Sequence, residues 1–335
     1  MRVRGTRIAV SVFLISLLTP SAPARAAFGH TNPQLAFVVS YYIITPDSPG
    51  HWHARQRSDL VVTSSDGLSR RAIAVGKIDL DRPTWPAEDL ISVGETEGID
   101  STKSHGIVSY DQTGLLRNVV LQGSFTSASW SPDLRHLAVE RRQDDGLVEL
   151  YVYRRDGGMV RRLTRGGGMH PVWSPDGRWI VFERYVFERP GFDGQEQLFI
   201  VRPDGTGLRR LTRSSGVDTS PSWSPDGRRL VFARSRSRHE QQGLYILNIA
   251  TGTARRLTKG YEPAWGPHDE IAFTRLALVP SPAADGLNQL FTIRSDGRGL
   301  RQVTREPCGP ANPAWEMPCG DVASPAWQGS HELAS

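Results

Sequence analysis

The chain has 335 residues, 38% of them hydrophobic and 22% charged, and a formal net charge of +5. Four arginines and no acids fall within residues 1–26, so the rest of the chain carries a net charge of about +1 (+5 minus 4). Such a balance does not indicate the concentrated basic surface of a nucleic-acid-binding domain, and we expect no nucleic-acid partner. The length allows two domains, but all-β rings of this size commonly form one.

The first 26 residues have the organisation of a secretory signal. An arginine-rich start precedes an apolar stretch at 8–18, and small residues lie just before Ala27. The apolar stretch is shorter than a membrane span, and no second one follows it. We therefore predict a signal peptide at 1–26, cleavage near Ala26/Ala27, and a secreted or periplasmic protein without a membrane span. Residues 27–335 are expected to form a single domain.

The first half of the chain contains six short segments that have the length of a strand. They lie at 35–37, 60–62, 70–73, 91–93, 107–110 and 116–119. Each is too short for a helix, and those at 35–37, 60–62, 91–93 and 107–110 have the composition of a strand. An Asp-Gly turn at 66–67 and Trp85 divide these segments into two units of similar order.

Two phrases recur through the second half at a fixed period. Arg-Arg-Leu-Thr or a close variant ends at Thr164, Thr212, Thr258 and Thr304, which are 48, 46 and 46 residues apart. Trp-Ser-Pro-Asp-Gly occurs at 173–177 and 223–227, with degraded copies at 130–133 and 265–268. Proline fixes φ at the second turn position and glycine supplies a left-handed residue, so this phrase predicts a tight turn between antiparallel strands.

Four antiparallel strands in about 45 residues are typical of a propeller blade. The repeats predict blades at approximately 34–75, 83–122, 127–166, 170–214, 220–260 and 262–306. The predicted fold class is therefore an all-β, six-bladed propeller of four-stranded antiparallel blades, with seven blades as the alternative. The first unit lacks an inner strand, whereas two surplus Pro-Ala-Trp segments end at Trp315 and Trp327. We expect segment 310–328 to close the ring with one of them.

The combined repeat resembles the WD-like propeller repeat of the TolB family. Residues 171–212 and 221–258 match it almost throughout, 127–164 and 262–304 match it well, and 34–123 match it in skeleton. The resemblance implies a six-bladed propeller with a binding role, because TolB is a non-enzymatic periplasmic protein that binds a peptidoglycan-associated lipoprotein. About eight residues separate the predicted cleavage site from the first strand, so we expect no counterpart of the TolB N-terminal domain. Propellers of prolyl oligopeptidase-like enzymes and oligogalacturonate lyases share this repeat, so fold alone does not choose between them.

The two cysteines lie in near-duplicate segments. Pro-Cys-Gly surrounds both Cys308 and Cys319, and each copy runs on to a Pro-Ala-Trp segment. In an exported protein an even cysteine count at close spacing predicts one disulfide. A metal or redox role would need further ligands or a C-x-x-C spacing.

Blade topology predicts two different faces of the ring. One face carries the tight turns; the other carries the longer connections between second and third strands and between blades. Long connections that display aromatic residues and arginines on a rigid scaffold favour binding. The candidates on this face are His51, Trp52, His53, Tyr185, Phe187 and Arg189. The alternative is that these connections pack as a lid over the channel.

A second candidate site is the mouth of the central channel. The residue before each Pro-x-Trp strand is expected to point toward the axis. These residues are Arg82, His170, Ser220, Glu262 and either Asn312 or Ser324. Their mixture of acid, base, hydroxyl and amide suits a peptide or a sugar. A solvated channel lining has the same composition.

Catalytic motifs are weak in this sequence. No G-x-S-x-G elbow is present, and His51-x-His53 has no third metal ligand at a recognisable spacing. We therefore expect a monomeric, non-enzymatic module that binds a protein or peptide partner in the cell envelope or outside the cell, without metal or cofactor. The alternative is a metal-dependent, carbohydrate-active enzyme similar to the oligogalacturonate lyases, using histidines such as His51, His53 or His170.

Overall fold

A computed structural model describes eleven stretches of the chain, all within one compact unit, Asn32–Ser335. They are residues 34–48, 51–77, 79–80, 82–87, 90–96, 106–111, 114–187, 194–235, 242–277, 287–304 and 321–327. Side chains are described for most but not all of these residues. The predicted signal peptide and both cysteines, Cys308 and Cys319, lie outside the described residues, so the cleavage and the disulfide stay predictions.

Short strands dominate the structure. In chain order they are β1 (Gln34–Ser48), β2 (His51–Ser64), β3 (Arg70–Lys77), β4 (Asp79–Leu80), β5 (Thr84–Ala87), β6 (Leu90–Thr96), β7 (Gly106–Tyr110), β8 (Leu116–Gln122), β9 (Phe125–Trp130), β10 (His136–Arg142), β11 (Val148–Arg154), β12 (Met159–Arg162), β13 (Met169–Trp173), β14 (Ile180–Val186), β15 (Gln195–Val201), β16 (Arg209–Arg210), β17 (Val217–Trp223), β18 (Arg229–Ser235), β19 (Gly243–Asn248), β20 (Ala254–Lys259), β21 (Tyr261–Trp265), β22 (Glu270–Ala277), β23 (Leu287–Arg294), β24 (Arg301–Gln302) and β25 (Asp321–Trp327). One short 3-10 helix covers Pro267–Asp269.

These strands form six antiparallel sheets arranged as the blades of a ring, which confirms the six-bladed prediction over seven. Blade one has the order β25-β1-β2-β3, and blades three to six each use four consecutive strands, β9–β12, β13–β16, β17–β20 and β21–β24. In blade two the inner strand is divided, because β4 and β5 both pair with β6 ahead of β7 and β8.

The Ser-Pro-Asp-Gly turns have a shared hydrogen-bond pattern. Ser174 Oγ donates to Asp176 Oδ1 at 2.6 Å and accepts the N–H of Trp179 at 2.9 Å, while Gly177 has φ +71°. Blade five repeats the serine–aspartate bond, and blade three repeats it with Leu134, φ +56°, at the glycine position. Together with the Asp-Gly turns between third and fourth strands, they form what we call the turn face. We call the opposite side, with the longer connections, the connection face.

The threonine of Arg-Arg-Leu-Thr ties the outer strand to the third strand. Thr212 Oγ1 accepts the N–H of Leu198 at 3.0 Å and donates to Gln197 Oε1 at 3.2 Å. Blades three and six have the same arrangement, with Thr164 on Glu149 and Thr304 on Gln289. These polar groups are buried, so the repeat satisfies donors and acceptors that would otherwise be left unpaired.

The ring closes through Trp327, which settles the choice between the two C-terminal tryptophans. Strand β25 pairs with β1, placing Trp327 opposite Leu35. The indole N–H of Trp327 donates to the carbonyl of Ala264 in blade six at 2.9 Å. Trp223 makes the same kind of bond to Val172 of the preceding blade, at 3.2 Å. The closing strand therefore uses the contact that joins other neighbouring blades.

The hydrophobic core lies between neighbouring blades. Phe37, Phe182, Phe232 and Phe273 occupy corresponding positions on second strands and are fully buried. At the closure, Phe37 and Leu35 of blade one pack with Leu290 and Val303 of blade six and with Trp327. Full burial of each such side chain contributes about 1.5–3 kcal/mol, so the closed ring is a large part of the stability of the fold.

One predicted connection has a different form. His51, Trp52 and His53 were predicted on a long connection, but residues 40–58 continue β1 and β2 as a two-stranded extension with a single register shift near Pro46. The run at 41–44, Tyr-Tyr-Ile-Ile, has high β-propensity and explains the extension.

In the described part of the chain, no helix has the length and apolarity needed to cross a lipid bilayer.

Candidate functional site

Three of the predicted channel-mouth residues share an uncommon backbone conformation. His170, Ser220 and Glu262 have φ values of +49°, +55° and +49°. Each lies in a β-bulge: the residue and the proline after it stand together opposite a single phenylalanine of the second strand. Left-handed backbone is costly for residues other than glycine, and such strain tends to lie at functional sites. Of the other candidates, Arg82 is described below, Asn312 lies outside the described residues, and only the backbone of Ser324, on β25, is described.

Two buried carboxylates lie against these bulges. Glu183, 1% exposed, accepts the N–H of Ser220 at 2.7 Å. Glu140, 9% exposed, accepts the N–H of His170 at 3.0 Å and the hydroxyl of Thr126 at 2.8 Å. A charged acceptor strengthens a hydrogen bond, so each acid stabilises the strained residue of the next blade.

Arg82 reaches across the channel. Its Nη2 donates to Ser220 Oγ at 3.0 Å, although Arg82 belongs to blade two and Ser220 to blade five, on the opposite side of the ring. Its Nη1 lies 3.9 Å from Glu183, and the imidazole Nδ1 of His170 lies 3.1 Å from the other oxygen of that carboxylate. The structure therefore brings Arg82, His170 and Ser220 together around Glu183.

Glu183 interacts with both Arg82 and His170, and these contacts shift the pKa values of the acid and the imidazole. Burial would raise the pKa of Glu183, but His170, Arg82 and the N–H of Ser220 hold it below its ordinary value. Burial and the neighbouring Arg82 oppose protonation of His170. The carboxylates of Glu183 and Glu140 outweigh both effects, and the pKa of His170 is raised. The mouth thus holds a carboxylate between a guanidinium and an imidazole.

A cavity of about 530 Å³ lies within the ring and includes the channel-mouth residues. Glu262 also lines it, and Thr274 Oγ1 contacts the Glu262 carboxylate at 3.5 Å. The walls of the cavity are mainly the proline rings and indoles of the inner strands, including Trp85, Trp173 and Trp265. Apolar walls with a few convergent polar groups are typical of sites for peptides and small molecules.

The other predicted site, on the connection face, is partly described. Tyr185 and Phe187 lie at the end of β14 and are 36% and 70% exposed. Arg189 lies outside the described residues. His51, Trp52 and His53 lie on β2 in the extension of blade one, and only their backbone is described. Among residues with described side chains, no group of three His, Cys, Asp or Glu has a geometry that would hold a metal ion.

Sequence reasoning missed the two buried acids of the channel mouth. Glu140 and Glu183 each follow the apolar triplet of a second strand, so an acid at one repeat position in two successive blades was the available signal. The corresponding residues of blades five and six are Ala233 and Thr274.

Comparison with known proteins supports the fold. No protein-family model matches the chain. The structure of TolB from Acinetobacter baumannii is similar, with a TM-score of 0.67 and 20% identity over 89% of this chain and 67% of that one. The structure of a putative TolB from Agrobacterium tumefaciens has a TM-score of 0.59 and 17% identity over 86% of this chain and 98% of that one. The structure of an oligogalacturonate lyase from Vibrio parahaemolyticus has a TM-score of 0.50 and 10% identity over 81% of this chain and 80% of that one. The chain thus shares a six-bladed propeller fold with TolB structures.

Proposed function

We propose that this chain is an exported, non-enzymatic propeller that binds a protein or peptide partner in the cell envelope or outside the cell. The partner contacts the channel mouth and the connection face. The observation that carries the proposal is the set of left-handed residues His170, Ser220 and Glu262 around one channel mouth. Strained polar residues at equivalent positions of three blades are typical of functional sites, where such strain tends to be kept.

The remaining support comes from the surroundings of that mouth. The cavity combines apolar walls with an arginine, an imidazole, a hydroxyl and a carboxylate, which suits a peptide segment with mixed side chains. Tyr185 and Phe187 expose aromatic surface on the connection face, and aromatic residues commonly anchor protein interfaces. The resemblance to the TolB repeat and the predicted signal peptide at 1–26 favour the same role. We further propose that the exported protein is a monomer.

Affinity capture with matched variants tests the proposal. The tagged chain is used as bait against envelope and culture fractions, beside His170→Gly/Glu262→Gly, which removes two mouth side chains and their backbone strain. Leu134→Gly is the control, because it changes a left-handed residue on the turn face. A partner retained by the native and control baits but lost from the double variant supports the proposal. Equal retention by all three baits, or by none, contradicts it.

A second candidate is a carbohydrate-active enzyme. The contact of His170 Nδ1 with Glu183 at 3.1 Å is the observation that favours it, because an imidazole beside a carboxylate is a common arrangement for proton transfer in catalysis. Turnover of oligogalacturonate by the purified chain, lost in His170→Gly, together with stoichiometric manganese or zinc, would replace the binding proposal with this one.

A further inference from the structure

Blades four and five hold an arginine in the same way. Arg184 and Arg234 each lie two residues after the buried phenylalanine of the second strand. The Arg234 guanidinium lies 5.1 Å from the ring centre of Phe232 and 5.0 Å from that of Tyr245. The Arg184 guanidinium lies 5.3 Å from Phe182 and 5.1 Å from Phe199. Stacking on two rings fixes the plane of each guanidinium.

In blade five this arginine binds a carboxylate of its own chain. Arg234 Nε donates to Asp218 Oδ1 at 2.6 Å, and its Nη2 donates to Oδ2 at 2.9 Å. Asp218 is fully buried, and Ser214 Oγ also donates to Oδ2, at 3.0 Å. Two parallel bonds from one edge of a guanidinium are a geometry that carboxylates fit particularly well.

In blade four the corresponding carboxylate is missing. Asp218 lies two residues before Ser220, and the residue two before His170 is Gly168. Arg184 Nε donates instead to the carbonyl of Gly167 at 2.9 Å, and its buried Nη2 has no acceptor among the described residues. Burial lowers the pKa of Arg184, which Glu149 only partly offsets. The Nε–Nη2 edge of the guanidinium binds Asp218 in blade five, but in blade four only its Nε has an acceptor among the described residues. A buried donor without an acceptor is costly.

The glycine segment beside Arg184 explains why the chain does not supply the missing group there. A Cβ at Gly168 would lie 2.9 Å from the side chain of Leu150, so an aspartate at this position does not fit. Gly166 and Gly167 have φ values of +91° and +96°, and no atom lies within 4 Å of a Cβ built on either. The N–H groups of Gly166 and Gly167 donate to Glu149 Oε1 at 2.9 and 3.3 Å and hold the segment, and open space for another group lies beside both glycines.

We propose that the Nε–Nη2 edge of Arg184 is a binding site for a carboxylate of the partner, in the place that Asp218 fills in blade five. The carboxylate replaces the Gly167 carbonyl as the acceptor of Nε and gives Nη2 its missing acceptor. Tyr185 and Phe187 follow directly in sequence and expose aromatic surface, so the partner segment carries an acidic side chain beside apolar residues. The identification of the partner segment rests on the proposed function, whereas binding of a carboxylate does not.

Arginine side-chain NMR tests the site without any partner. The full chain is labelled with ¹⁵N-arginine, and the Nε–Hε signals of Arg184 and Arg234 are assigned with Arg184→Lys and Arg234→Lys. Sodium acetate is then compared with sodium chloride at equal ionic strength. We expect a saturable shift of the Arg184 signal with acetate alone, and no shift of the Arg234 signal, because Asp218 already fills that site. An unmoved Arg184 signal, or equal shifts for both arginines, overturns the proposal.

Two further sets of titrations, followed by the same Arg184 signal, identify the source of the carboxylate. N-acetyl-isoglutamine carries only a side-chain carboxylate and its isomer N-acetyl-glutamine only a main-chain one, and we expect the first to bind at least tenfold more tightly. The reverse order would overturn the acidic side chain as the ligand. Glu188 and Asp193 lie nearby in sequence. If Glu188→Gln or Asp193→Asn moves the Arg184 signal while acetate does not, the chain fills its own site and the proposal fails. A positive acetate result with failed capture would leave this site standing and the proposed function wrong.

Discussion

The indole of Trp327 lies directly over the backbone of Gly266, so that a Cβ added to this glycine would overlap the ring. Trp327 belongs to the strand that closes the ring and Gly266 to blade six. The absence of a side chain at one residue of the last blade is therefore a condition for closure.

Gly266→Ala should destabilise the protein by about 1–3 kcal/mol, the usual cost of overpacking a tight contact. Gly266 has φ −109°, which alanine adopts readily, so the effect is steric. Gly158→Ala is the control, because its nearest neighbours are atoms of the exposed, flexible Arg154 side chain. Urea unfolding followed by tryptophan fluorescence measures both. Equal stabilities of the two variants would contradict this description of the closure.

Backbone strain at the channel mouth predicts an order of stabilities at position 262. Glu262→Gly and Glu262→Ala both remove the side chain, but only glycine adopts φ +49° without strain. We expect the glycine variant to be more stable than the alanine variant by about 1–2 kcal/mol, the cost of left-handed backbone for an L-residue. Thermal unfolding at one pH decides the order. An alanine variant as stable as the glycine variant would show that the position is unstrained.

The ion cluster predicts a pH dependence for His170. Its pKa is raised above 6.5 in the folded state, so its contribution is complete below pH 6.5 and is lost as the pH rises through the folded-state pKa. The free energy of unfolding of the native protein should exceed that of His170→Asn most at pH 6 and less at pH 9. Glu183 has the opposite sign, because its pKa is lowered from 4.5, and its contribution is lost only as the pH falls below that value. A difference that stays constant from pH 6 to pH 9 would contradict the pairing.

Replacing the threonine of the Arg-Arg-Leu-Thr repeat should destabilise the protein more in blade four than in blade five. Thr212→Val keeps the shape of the side chain but leaves the N–H of Leu198 without its acceptor, at a cost of about 1–3 kcal/mol. It also removes one of the two donors to the amide oxygen of Gln197, which keeps the N–H of Ser214. In blade five, Gly243 stands at the position of Gln197, so Thr258→Val removes fewer bonds. The blade-five variant should unfold at the higher urea concentration. The reverse order would show that the hydroxyl is not what holds the outer strand.

The repeats were enough to predict the blades, because turn chemistry and strand composition are local properties. They also predicted Arg82, His170, Ser220 and Glu262 as channel-lining residues, because one repeat position faces the axis in every blade. What the sequence did not reveal depends on contacts between blades. The reach of Arg82 to Ser220 and the capping of one blade by Glu183 of its neighbour follow from how the closed ring brings distant segments together. The choice of Trp327 over Trp315 depends on pairing with β1, which two identical Pro-Ala-Trp motifs do not distinguish.

Site-specific photocrosslinking tests the binding face most directly. A benzoylphenylalanine replaces Tyr185 on the connection face or, in the matched control, Trp179 beside the turn of blade four, and each chain is irradiated in the presence of envelope and culture fractions. We predict a discrete protein adduct from position 185 that is lost in the His170→Gly/Glu262→Gly background, and none from position 179. An adduct from position 179 alone, or one from 185 that survives loss of the mouth residues, would contradict binding at the channel mouth.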